Sequence, residues 1–188
     1  DDDVAGFTIE ETDGSTEVDE SGSTDIFTIV LDAQPTNDVV VLATASNDET
    51  EATVSGSITF TSENWDTPQT VTVTGVDDDL VDGDQTYDIT ISIVDTISDD
   101  EFDGVADQSV SSTTLDDDAP GFTIEETDAA TEVDESGSTD IFTVVLDAQP
   151  TSDVVLTITS DDTGEATVPA SVTFTAADWD TPQTVTVT

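Results

Sequence analysis

YDITISI, Tyr87 to Ile93, alternates apolar and polar residues: Tyr87, Ile89, Ile91 and Ile93 fall on one face, Asp88, Thr90 and Ser92 on the other. Successive side chains of an extended chain point to opposite faces, so this is the pattern of a β-strand with one face buried. The same alternation places Phe27, Ile29 and Leu31 on one face, and it runs through Thr70, Val71, Thr72, Val73 and Thr74. No stretch keeps a helical period. Working outward, strands are expected near residues 7–10 (A), 25–32 (B), 39–45 (C), 52–60 (D), 69–75 (E), 87–95 (F) and 108–115 (G). Seven short strands separated by turn residues predict an all-β, immunoglobulin-like sandwich.

The pattern occurs twice. GFTIEETD at Gly6 returns at Gly121, TEVDESGSTDIFT at Thr16 returns at Thr131, VLDAQPT at Val30 returns at Val145, and WDTPQTVTVT at Trp65 returns at Trp179. A period of this length is a whole domain rather than a solenoid unit. Residues 4–118 are expected to form one complete sandwich, and residues 119–188 a second repeat that stops after strand E. Asp1 to Asp3 match Asp116 to Asp118 and read as the tail of a preceding repeat. On this reading the 188 residues are a window on a longer array. Strands F and G of the second repeat would then come from a following segment or from another copy.

Composition narrows the function. The chain holds 46 Asp and Glu and no Lys, Arg or His, for a formal charge of -46. Phosphate recognition needs Lys or Arg, so nucleic acid and anionic membrane surfaces are excluded as partners. No apolar run reaches the roughly 20 residues needed to span a bilayer. There is no Cys, hence no disulfide to staple the fold. Without His, Cys or Lys the usual general bases and activated nucleophiles are missing, and an enzyme is not expected. Paired carboxylates can hydrolyse glycosides, but a near-verbatim tandem repeat argues for a structural unit.

Where carboxylates converge, no side-chain cation is present to relieve them. Two such charges about 4 Å apart repel by roughly 4 kcal/mol at a protein surface. Strand connectivity brings several segments to one pole of the sandwich. The A–B turn carries Asp19 and Glu20, and the C–D turn Asp48, Glu49 and Glu51. The E–F turn carries Asp77, Asp78, Asp79, Asp82 and Asp84, and the exit from strand G carries Asp116, Asp117 and Asp118. A hard cation that accepts six to eight oxygens in irregular geometry, Ca2+, suits this set better than Mg2+ or the softer metals.

VDES at Val18, DDDLVDGDQTYDITI at Asp77 and the closing DDD at Asp116 together resemble Calx-beta domains, calcium-binding sandwiches of sodium–calcium exchangers and large bacterial surface proteins. The resemblance implies Ca2+ ligands at Glu20, Asp77, Asp78, Asp82, Asp116, Asp117 and Asp118, with Glu135 the one matching position in the second repeat. Asp48 and Asp84 are added from their places in the same turns. The C–D turn departs from the family's usual form. The function expected is a calcium-stabilised structural repeat of an extracellular stalk, fibre or matrix protein at the cell surface. Its partners would be neighbouring repeats and other copies in a fibre. The alternative is a carbohydrate- or surface-binding adhesin module, against which stands the lack of an exposed aromatic cluster. Trp65 and Trp179 read as lids over the sandwich end, and Gly6 and Gly121 as glycines of a tight domain junction. Outward Thr rows resemble ice-binding faces, but Thr is also the default outward residue of a strand.

Overall fold

The computed structural model describes residues 3–46 and 50–188. The chain divides into two compact units: residues up to Asp78 together with Asp82–Asp117, and Asp79–Val81 together with Asp118–Thr188.

The first unit is a two-sheet β-sandwich. One sheet has the order β1 (Phe7–Glu11), β3 (Thr24–Leu31), β7 (Gln69–Gly75), β5 (Ala52–Val54). The other has the order β2 (Thr16–Asp19), β9 (Gln108–Leu115), β8 (Gln85–Ile93), β4 (Val39–Ala45), β6 (Ser57–Phe60). All pairs are antiparallel except β2 with β9, which run parallel with Thr16 opposite Ser112 and Asp19 opposite Leu115. The alternation read from the sequence is what packs the core. Phe27, Ile29, Val71, Val73, Ile89 and Ile91 are fully buried between the sheets. Trp65 is half-buried against this core, and its carbonyl accepts from the Leu31 N–H at 3.1 Å.

Seven expected strands become nine because one is broken in two and one more, β2, is added. The segment expected as strand D is interrupted at Gly56, whose φ of +72° suits a residue without a Cβ. The chain thereby leaves β7 in one sheet, through β5, and joins β4 in the other, through β6. At the N-terminal edge, β1 pairs with β3, and β2 then crosses to β9. The Thr16–Asp19 strand has no signature in the sequence, because four residues carry too little periodicity to stand out from a turn.

Two 3-10 turns, Asp95–Ile97 and Asp100–Phe102, link β8 to β9. Asp99 lies between them, 3 % exposed. Its carboxylate accepts from the N–H groups of Thr36 (2.7 Å), Asn37 (2.7 Å) and Glu101 (3.1 Å) and from the Thr36 hydroxyl (2.8 Å). These bonds hold its pKa down at about 2. The group is a structural anchor.

The second unit contains β10 (Phe122–Glu126), β11 (Asp140–Leu146) and β14 (Gln183–Val187) in one sheet, and β12 (Val154–Thr157) with β13 (Ser171–Phe174) in a two-stranded sheet. A small core of Val144, Leu146, Phe174 and Val185 lies between them. Within their own units, Gly6 and Gly121 make room for an aspartate. A Cβ on Gly6 would sit 2.6 Å from Asp32 Oδ2, and one on Gly121 2.3 Å from Asp147 Oδ2. The Gly6 and Gly121 carbonyls accept from the N–H groups of those same aspartates at 2.9 and 3.0 Å.

Candidate metal centre

The first unit gathers carboxylates where β2, β5, β9 and the loop before β8 end or begin. The local chemistry of the β2 turn sets the arrangement. Asp19 accepts hydrogen bonds from the Ser21 N–H, at 2.9 Å, and from the Ser21 hydroxyl. Gly22, at φ +92°, closes the turn, and the Gly22 N–H donates to the Asp19 carbonyl at 3.2 Å. Asp19 is thus engaged by its own turn, and Glu20 is the acid that enters the protein. Glu20 is 1 % exposed, and its N–H donates to the Leu115 carbonyl at 3.2 Å. The end of β7 passes so close that a Cβ on Gly75 would lie 2.1 Å from the Asp19 carbonyl oxygen.

Around Glu20 stand Asp78, Asp116, Asp82 and Glu51. Burial, and then these carboxylates, push the Glu20 pKa up to about 7. A Glu20 oxygen and an Asp116 oxygen lie within 4.8 Å of each other. Two charges at that distance repel by about 3 kcal/mol at an effective dielectric of 20. Burial also raises the Glu51 pKa, with Asp82 and Asp78 adding to the rise against the Thr50 hydroxyl that lowers it. The Oε2 atoms of Glu20 and Glu51 are both shielded from solvent and accept no hydrogen bond from any described residue. Shielded, unbonded carboxylate oxygens are costly, and a cation at this point would complete them.

The surrounding backbone is well tied. The Glu51 carbonyl accepts from the Val76 N–H at 2.8 Å and from the Thr114 hydroxyl at 3.3 Å. Asp116 Oδ2 accepts from the Gly83 N–H at 2.6 Å, and the Asp116 N–H donates to Asp84 Oδ1 at 3.3 Å. These bonds join the 77–84 loop to the end of β9.

Of the acids expected from the sequence, Glu20, Asp78, Asp82 and Asp116 are brought together. Asp84 is exposed and touches the site through the Asp116 backbone. Asp77 and Asp117 are exposed. Asp48 lies outside the described residues. Asp118 belongs to the second unit and is half-buried there. Glu135, the repeat partner of Glu20, is exposed on a turn. Glu51 joins the group although it was not among the expected ligands. Its signal was present: it is the last acid of the C–D turn, directly before the Ala52 that opens β5.

No protein-family model matches the chain, and no curated protein matches it. Among solved structures, the apo-form CBD1 domain of Calx aligns with 60 % of this chain and 98 % of its own length, at 16 % identity and a TM-score of 0.42. CBD12 from CALX1.2 aligns with 95 % of this chain and 73 % of its own length, at 14 % identity and a TM-score of 0.41. The YadV chaperone aligns with 96 % of this chain and 84 % of its own length, at 8 % identity and a TM-score of 0.41. At these scores none of the three bears on function.

Proposed function

We propose that the first unit binds Ca2+ at the Glu20 cluster and that the metal's role is structural. The observation that carries the reading is the buried Glu20 carboxylate, surrounded by acids in a chain without a single cationic side chain. Glu20, Glu51, Asp78, Asp82 and Asp116 supply hard oxygen donors from four separated segments. Asp117, the next residue after Asp116 and about 4 Å further along the chain, belongs to the same unit and extends the donor set. When bound, Ca2+ supplies positive charge and accepts oxygen ligands. The residues do the rest: Gly75 admits the β2 turn, Leu115 anchors Glu20, and Gly83 orients Asp116.

The role follows from where the ligands sit. They join the ends of β2 and β9 to the starts of β5 and β8, so the metal would lock both sheets at one end. Asp116 also lies six residues before the start of β10 at Phe122. Immobilising it stiffens the connection between the units. We read the chain as a metal-stiffened structural repeat of an extracellular or cell-surface array, not an enzyme. Extracellular calcium is commonly millimolar, so even sites of about 10⁻⁴–10⁻³ M would be filled.

Isothermal calorimetry on the metal-stripped chain tests this. Saturable Ca2+ binding that ~1 mM Mg2+ does not displace supports the reading. No Ca2+ binding up to about 10 mM removes it, since that exceeds the weakest extracellular sites by about tenfold. An array of immobilised glycans tests the adhesin alternative, and specific capture would favour it.

A further inference from the structure

We infer that the second unit is a strand acceptor whose groove takes a β-hairpin of the chemistry of Gln85–Leu115, in the register that β8 and β9 occupy in the first unit. The groove is about 320 Å³ and is lined by Phe122, Ile124, Phe142, Leu156, Ile158 and Val172, among others. It lies wholly within the second unit. Its walls are core residues by sequence. Phe122 repeats Phe7, yet Phe122 is 51 % exposed where Phe7 is 3 %. Ile124, the repeat of the half-buried Ile9, is 53 % exposed. Leu156 and Ile158 are half-buried where their counterparts Val41 and Ala43 are 1 % and 5 % exposed.

The first unit shows what covers such a face. There β4 pairs with β8, Val41 opposite Ile93 and Ala43 opposite Ile91. β8 pairs with β9, and β9 with β2. Gln108 at the start of β9 donates to the Phe7 carbonyl at 2.7 Å. In the second unit β12 pairs with β13 alone among the described strands, and a two-stranded ribbon is marginal by itself. Its other edge is a template for strand addition. Transferred by the repeat, the register sets an Ile93-like residue against Leu156 and an Ile91-like residue against Ile158. A Gln108-like side chain would reach the Phe122 carbonyl, and a β9-like strand would run parallel to Thr131–Asp134.

The apolar lining selects the same occupant. A charge on the inserted face would be buried there without a partner, so the inward face must be uncharged. β8 carries one carboxylate, the exposed Asp88, and β9 carries none. The occupant is therefore a strand pair with Tyr, Ile and Val facing inward and Thr and Ser facing outward. Metal has no part in this contact.

The test adds a synthetic peptide spanning Asp84–Asp116 to the whole chain, read by hydrogen exchange and by fluorescence anisotropy. Expected is one-to-one binding with a Kd of about 10 µM or tighter, and new protection at Thr131–Asp134. An Ile91→Asp peptide, or an Ile158→Asp chain, should weaken binding by at least ~10-fold. Because the peptide could precipitate, a second form fuses Gly75–Asp118 after Thr188, which matches Thr74 in the repeat. Protection at Thr131–Asp134 should then appear without added peptide. The proposal fails if Thr131–Asp134 gains no protection in either experiment, beyond the bonds that Glu132 and Asp134 already donate to Asp140 and Ser138, or if either substitution leaves binding unchanged. It also fails if the chain self-associates through the groove and the peptide does not dissolve the dimer, because the occupant is then a second copy.

Discussion

Glu20 is the residue on which the metal reading turns, and its titration has a definite sign. Its folded pKa of about 7 lies above the ordinary glutamate value. In the metal-free protein its favourable contribution is therefore complete below about pH 4.3 and is lost as pH rises through 7, on the order of 3 kcal/mol. Thermal melts of the stripped protein should show stability falling between pH 5 and pH 8, and saturating Ca2+ should remove that fall. A flat profile without metal would contradict the burial of a charged Glu20. Glu20→Gln keeps the shape and deletes the charge. It should cost at least about tenfold in Ca2+ affinity without lowering metal-free stability at pH 8. Asp99 provides the opposite case. Its pKa is depressed, so its contribution is present above about pH 3.9 and lost as pH falls through 2. Asp99→Ala removes the acceptor of four hydrogen bonds and should destabilise by about 2–4 kcal/mol in denaturant titration, with Ca2+ affinity unchanged.

At the scale of elements, the contact between the end of β7 and the β2 turn positions the site. Gly75→Val would put atoms where the Asp19 carbonyl already lies, and the turn must move. The expected outcome is a loss of about 2 kcal/mol or more and a Ca2+ affinity lowered together with it, measured on the same sample by melting and calorimetry. Retained affinity would mean that Glu20 reaches the metal without this packing. Strand identity was largely legible in sequence: β4, β7 and β9 fall where periodicity put them. The break in strand D and the added strand β2 were not. Gly56 is one glycine among many until its positive φ is known, and the crossing of Thr16–Asp19 to β9 depends on a partner about 95 residues away. For the site, the order of acids along the chain pointed to the pole, whereas the burial of Glu20 and the part of Glu51 emerged only with neighbours in place.

For the molecule as a whole, a charge of -46 without any counter-charge makes cations part of the fold's energetics. Removing divalent metal with a chelator should lower the first unit's unfolding midpoint by more than about 10 °C, roughly 2 kcal/mol for a unit of about 100 residues. Calcium should restore it and Mg2+ should do so poorly. Monovalent salt screens exposed charges and should raise the midpoint gradually, without saturation. Equal recovery with salt and with Ca2+ would mean that diffuse screening, not a site, is responsible. Among the described residues no helix is long and apolar enough to cross a membrane.

The two copies of TEVDESGSTDIFT separate what sequence determines from what tertiary structure decides. Both form the same local turn: Asp19 accepts from Ser21, and Asp134 from Ser136, each N–H at 2.9 Å. Those bonds span two residues and need nothing else. Yet Thr16–Asp19 is a strand and Thr131–Asp134 is not, and Glu20 is buried while Glu135 is exposed. Periodicity, turn chemistry and the absence of cations are properties of the chain itself. Pairing with β9, and the burial that raises the Glu20 pKa, require a surface contributed from far along the chain, and identical residues without that surface remain in solvent.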